Sequence, residues 1–162
     1  MSAIATEAPL GSELTLQKQQ LLITFYQTCW NEMTWRRNAG YRTVILGFAY
    51  FGALLAAVAY NQHLPWIIRG FLAAVIALGS LFGAGYLASN YRKYMLAAGQ
   101  TVKIEQFVGA YEPNFLGELG ALMPAERANR PKVPLSRDPV CLWSVIAFAA
   151  GGLLCAAAIL II

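Results

Sequence analysis

Charge disappears from the chain three times. Thr43 to Tyr60 runs 18 residues without Asp, Glu, Lys or Arg, Gly70 to Ser89 runs 20, and Pro139 to Ile162 runs 24. A helix rises ~1.5 Å per residue, so about 20 apolar residues cross a hydrocarbon core of ~30 Å. Each stretch reaches or approaches that length, and none shows the apolar–polar alternation of a membrane barrel strand. Backbone N–H and C=O groups find no water inside lipid, so spans of this kind are helical. The pattern predicts an all-α integral membrane protein with three transmembrane helices, over 41–61, 65–89 and 139–162.

Only "NQHL" separates Tyr60 from Pro65, so the first two spans are expected to form a tight hairpin. Pro65 suits the first turn of a helix, and Tyr60 and Trp66 are natural interfacial anchors. His63, on this link, reads as a solvated side chain.

Past Ser89, the segment "NYRKYMLAAGQTVKIEQFVGAY" is polar but contains no proline. Tyr94, Ala97, Thr101, Ile104, Val108 and Tyr111 follow one another at steps of 3, 4, 3, 4 and 3, a soft heptad seam. The second span is therefore expected to continue as a helix over 90–111 and to stop between Gly109 and Pro113. At the other end, a flexible 1–13 precedes an amphipathic helix over 14–40. Leu16, Ile23, Tyr26, Trp30 and Met33 share one face of it, and Gly40 allows a bend into the first span. Both extensions leave the same hairpin, so they are expected to pack side by side as a cytoplasmic two-helix extension. The alternative lays the N-terminal helix flat on the headgroups, with Tyr26, Trp30 and Trp35 dipping in. Residues 112–138 read as a Pro-rich cytoplasmic linker, with room for a short helix around Phe115 to Met123.

Composition agrees: 58% of the residues are apolar and 12% charged, where a soluble domain carries about a quarter charged. The first residues show no basic cluster followed by an apolar run, so no secretory signal is expected there. Four basic residues precede the first span (Lys18, Arg36, Arg37, Arg42), and none lies in the 61–64 link. Seven fall between the second and third spans: Arg92, Lys93, Lys103, Arg127, Arg130, Lys132 and Arg137. Basic residues flanking spans gather on the cytoplasmic side. The N-terminus and 90–138 are thus expected in the cytoplasm, with the 61–64 link and the C-terminus outside the inner (plasma) membrane. The net charge of +4 is accounted for by this topology, and no nucleic-acid partner is expected.

Candidate chemistry is sparse. His63 is the only histidine and Asp138 the only aspartate, and no nucleophile–base pair, zinc-helix motif or phosphate loop occurs. The expectation is a protein that is not an enzyme, with no catalytic residue, no cofactor and no metal. Cys29, Cys141 and Cys155 lack paired spacing. Cys141 and Cys155 lie about 21 Å apart along one helix, too far for a disulfide. Glu105 and Glu112 would share a helix face, which reads as solvated or salt-bridged rather than as an acid–base pair. The second span carries "GSLFGAGY", in which Gly79, Ser80, Gly83 and Ala84 form a smooth surface for helix packing. Gly47, Ala53, Ala56 and Ala57 in the first span, and Ala149, Gly151, Gly152 and Ala156 to Ala158 in the third, extend the theme. Arg69, the lone charge within a span, is a candidate lipid or pore-mouth residue. Arg127, Arg130, Lys132 and Arg137 are candidates for contact with anionic lipid.

With "NAGYRTVILGF" at entry and "NYRKYMLAAGQTVKIEQFVGAY" at exit, residues 14 to 111 resemble SLATT-type small bacterial membrane proteins. The likeness lies in architecture and loose pattern, and the third span departs from the two-span plan of that family. It implies a self-assembling pore-forming effector or channel. The residues themselves favour a different class. The spans offer only Ser80, Ser89 and Arg69 toward a polar stripe, so the expected function is a non-catalytic accessory or scaffolding subunit. Its partners would be membrane lipids and other transmembrane helices, in a homo-oligomer or a larger membrane complex.

Overall fold

The structure, a computed structural model, describes residues 16–61, 63–117, 120–129 and 133–161. Four α-helices follow in order: α1 (Leu16–Tyr60), α2 (Trp66–Phe107), the short α3 (Ala125–Asn129) and α4 (Pro139–Ile161). A 3-10 turn over Leu135–Arg137 leads into α4. α1 has 45 residues and α2 has 42; at ~1.5 Å per residue both run to about twice a hydrocarbon core, whereas α4 matches one. All three long helices are long and apolar enough to cross a membrane.

α1 and α2 run antiparallel, since Tyr26 near the start of α1 touches Glu105 near the end of α2, and Arg36 touches Asn90. α1 continues through Gly40, so the amphipathic helix expected over 14–40 and the span expected over 41–61 run as one helix. In the apolar halves, α4 completes a three-helix seam. Phe51 and Val58 of α1, Ala73, Ile76 and Leu87 of α2, and Phe148, Cys155, Ala156 and Ile159 of α4 form its buried cluster.

Phe148 sits at the centre of that seam. Its ring occupies the space where a Cβ would stand on Gly47 of α1 and on Gly83 of α2. It meets Phe51 at 5.4 Å and Phe48 at 6.0 Å between ring centroids, in tilted and edge-on poses that aromatic pairs favour. Farther along α4, Gly152 lies against Ser80 and the Phe51 ring. Small residues at such contacts let the helix backbones approach closely. Two polar contacts support it: the fully buried Ser80 donates to the Ala77 carbonyl at 2.8 Å, and the Cys155 thiol donates to the Phe51 carbonyl at 3.3 Å.

The inner face of α2 runs through Ile76, Ser80, Ala84 and Leu87. Gly79, expected at a helix contact, lies outside that face: no atom of a neighbouring element comes within 4 Å of a Cβ built on it. One residue of helix is a rotation of about 100°, enough to turn Gly79 out beside the buried Ser80. In the polar half the buried line is likewise displaced from the predicted seam. Ala97, Ala98, Thr101, Val102 and Glu105 are buried, whereas Val108 is exposed.

Gly109 ends α2. Its φ of 76° is open to glycine without strain, and the reversal lets Ala110 N–H reach the Glu105 carbonyl at 2.9 Å and Gly109 N–H reach that of Gln106 at 3.1 Å. These bonds use carbonyls that the helix end would leave unpaired. The chain then turns back, and Met123 N–H bonds the Ala110 carbonyl at 2.9 Å. The short helix expected around Phe115 to Met123 falls partly outside the described residues, and those described there form turns. The helical turn comes later, at Ala125–Asn129, which places Arg127 beside Glu105.

Candidate functional site

Two features stand out where the helices become polar. The first is a clasp around Glu105, whose side chain is 3% exposed. Arg127 of α3 grips the carboxylate, with Nε at 2.9 Å from Oε2 and Nη2 at 2.6 Å from Oε1. Tyr26 of α1 donates to Oε1 at 3.0 Å, and Tyr111 of the turn donates to Oε2 at 2.6 Å. Trp30, stacked on Tyr26, presents its ring to the Arg127 guanidinium at 5.5 Å. A planar fork meeting a carboxylate is the strong form of ion pair, and here α1, α2, the turn after α2 and α3 all contribute to its surroundings.

Burial alone would raise the Glu105 carboxyl. The bonds from Arg127, Tyr111 and Tyr26, with the Arg127 charge, outweigh burial and hold it below its ordinary range. Its partners shift accordingly. Burial, then the bond to Glu105, pushes the Tyr111 hydroxyl up to about 12, and Tyr26 moves the same way for the same reasons. The Glu105 bond raises Arg127 against its own desolvation. A carboxylate so neutralised is a poor general base, and the clasp reads as architecture. Glu112, its predicted companion, is exposed.

The second feature is a groove of about 270 Å³ between α1, α2 and α4. Its polar wall is made by Arg36, Arg37, Asn90, Tyr91, Tyr94 and Asp138. Val44, Leu87, Val140 and Val145 form its apolar part. Asn90 ties the wall together: its Nδ2 donates to the Arg36 carbonyl at 2.7 Å. Arg36 is neutralised by Glu32, one turn earlier. Asp138 caps α4, accepting the Cys141 N–H at 3.1 Å, with Pro139 in the first helical position. Tyr91 donates to the Val133 carbonyl at 3.2 Å.

No family model matches the chain, and neither a curated protein nor a solved structure matches it.

The residues singled out in the sequence separate in space. Ser80 and Ala84 are buried in the seam, Gly83 abuts Phe148, and Gly79 faces outward. Arg69 is half-buried at the far end of α2, where its Nε donates to the Leu64 carbonyl at 3.1 Å and so holds the guanidinium to the link. Arg127 is engaged by Glu105 rather than open to a lipid phosphate, because α3 turns it inward. Arg137 is exposed in the 3-10 turn, and Arg130 and Lys132 lie outside the described residues. Among the described residues, no three His, Cys, Asp or Glu side chains gather in a way that would hold a metal ion. Asn90 and Asp138 were the groove residues hardest to read from sequence. A lone Asn at the end of a charge-free stretch, and a lone Asp before Pro139, were the available signals.

Proposed function

We propose that this chain is a three-span membrane protein acting as a non-catalytic accessory or scaffolding subunit, through helix–helix packing in a larger membrane assembly. The observation that carries the proposal is the surface that the chain leaves uncovered. Only 11% of the apolar window of α1, and 22% of those of α2 and α4, is buried within the chain. Lipid can cover leucine and phenylalanine. Glycine gives lipid nothing to pack against and costs a helix about 1 kcal/mol relative to alanine. Yet Gly52, Gly70, Gly79 and Gly85 all face open space. Outward glycines on a transmembrane helix are accounted for by the close approach of another backbone.

The interior speaks against a conduit through one copy. Val58, Ile76 and Ile159 are fully buried along the seam, and its one buried hydroxyl, on Ser80, is bonded within its own helix. A pore would have to be lined by outer faces of several copies, the arrangement that the resemblance to SLATT-type proteins implies. The basic residues of the polar halves favour a cytoplasmic N-terminus and 90–138 segment, with the C-terminus outside a bacterial inner membrane.

Reconstitution tests both parts. Pure protein in planar bilayers should stay silent, for the parent and for Arg69→Gln alike, and a reporter fused at residue 162 should read outside. Reproducible single-channel steps whose anion preference falls in Arg69→Gln would make the protein a pore with arginines at its mouth. An inside signal from the reporter would overturn the orientation.

A further inference from the structure

We propose that the groove between α1, α2 and α4 seats one anionic phospholipid, with its phosphate on Arg37 and its acyl chains over Val44, Val140 and Val145. The inference starts from chain direction. From Arg37 to Val44 along α1 is seven residues; from Tyr94 back to Leu87 along α2, and from Asp138 to Val145 along α4, the separation is the same. Two helical turns, about 10 Å, thus carry each wall of the groove from polar to apolar side chains. All three walls change character in the same direction, because α2 runs against α1 and α4 starts at the polar end. The charge-free stretches of all three helices therefore begin or end at one level, and the groove straddles that level.

A ligand for such a site must itself be charged at one end and greasy at the other. The sign of its charge follows from the wall. Arg36 is compensated by Glu32. The Asp138 carboxylate is directed to the N-terminus of α4, where it accepts the Cys141 N–H. Arg37 is exposed and makes no hydrogen bond or ion pair with another described residue. Arg37 is thus the cation of the lining left without a carboxylate among the described residues, and the half-buried Tyr94, also in the lining, has a hydroxyl that can donate to a phosphate oxygen. The exposed Val140 and the half-buried Val145 continue the apolar part of the groove. The occupant is a phospholipid of the adjoining leaflet rather than a soluble anion, because the apolar part of the groove would otherwise be wetted. Arg37 was not among the basic residues expected to meet lipid, which were Arg69 and four residues of the 112–138 segment.

The test is lipid retention by the full chain, using phosphatidylglycerol and phosphatidylcholine as probes. Protein purified in mild detergent with equal amounts of both is weighed by native mass spectrometry. The parent should keep one phosphatidylglycerol in clear preference. Arg37→Gln should weaken that retention about tenfold, the loss expected for one charge-assisted hydrogen bond. Arg37 is exposed, so helix content and melting should be unchanged and a folding defect will not cloud the result. Val140→Trp, at a second exposed position, should reduce retention by filling the acyl seat while leaving the charge in place. Equal retention of both lipids, or no effect of either variant, would overturn the proposal. Displacement of phosphatidylglycerol by inorganic phosphate would also overturn it, since the site would then read a phosphate alone.

Discussion

Arg127→Met should destabilise the polar half of the molecule by about 3 kcal/mol, the cost of leaving a buried carboxylate without its cation. Glu105 is 3% exposed and three donors converge on it, of which Arg127 alone carries charge. The loss should be local at first. Amide exchange should speed up over 20–33 of α1 and 97–107 of α2, while the seam around Phe148 keeps its protection. Glu105→Gln should cost less, because the amide oxygen still accepts from Tyr26 or Tyr111 and the guanidinium left without its anion is 25% exposed rather than fully buried. Replacing both partners, as Glu105→Leu with Arg127→Met, should recover part of the loss, since an apolar pair of similar volume removes the desolvation penalty.

Acid should mimic the single variant. A carboxyl held below its ordinary range contributes stability that is complete above its unfolded-state value of about 4.3 and fades as pH falls through the lower folded-state value. The parent's polar half should therefore loosen in acid, and that of Glu105→Gln should lack this transition. Equal acid sensitivity in the two proteins would place the responsible carboxyl elsewhere.

Why the clasp escaped a reading of the sequence is a matter of range. Periodicity reports one helix at a time, whereas Glu105 is joined to Arg127 across 22 residues and to Tyr26 across 79. The two partners were each assigned a sensible local role, Glu105 to a solvated or salt-bridged face and Arg127 to lipid contact. What brings them together is the glycine stop at Gly109 and the turn that follows, neither of which reveals in sequence where α3 will land. The three apolar helices were legible for the opposite reason. Lipid forces the backbone to bond within each segment, so length and lack of charge suffice. Between the polar halves, Asn90 of α2 donates to the Arg36 carbonyl of α1, a contact across 54 residues that periodicity does not report. The inner face of α2 was only half legible. Gly79 and Gly83 look equivalent in a four-residue spacing, and the choice between them is made by the Phe148 ring of α4.

That choice yields the second large effect. Gly83→Leu should destabilise the three-helix seam by about 3 kcal/mol, the upper range for forcing bulk into a packed core. Even the Cβ of the new side chain would fall within the Phe148 ring, and that ring cannot retreat toward α1 because Gly47 already receives it. Detergent-solubilised protein should melt earlier and lose protection in α4. A Cβ at Gly79 meets no atom of a neighbouring element within 4 Å, so Gly79→Leu should leave the melting of the isolated chain unchanged. If the two variants melt alike, the seam lies on another face of α2.

The outward position of Gly79 also makes it a probe of the assembly. The most direct measurement is the mass of the complex released from native membranes by mild detergent, for the parent and for Gly79→Leu. The accessory-subunit account predicts that the parent elutes with a different polypeptide in fixed ratio. It also predicts that Gly79→Leu, folded as before, elutes without it. A closed ring of copies of this chain with no other protein in it, or a lone chain in both samples, would contradict the account.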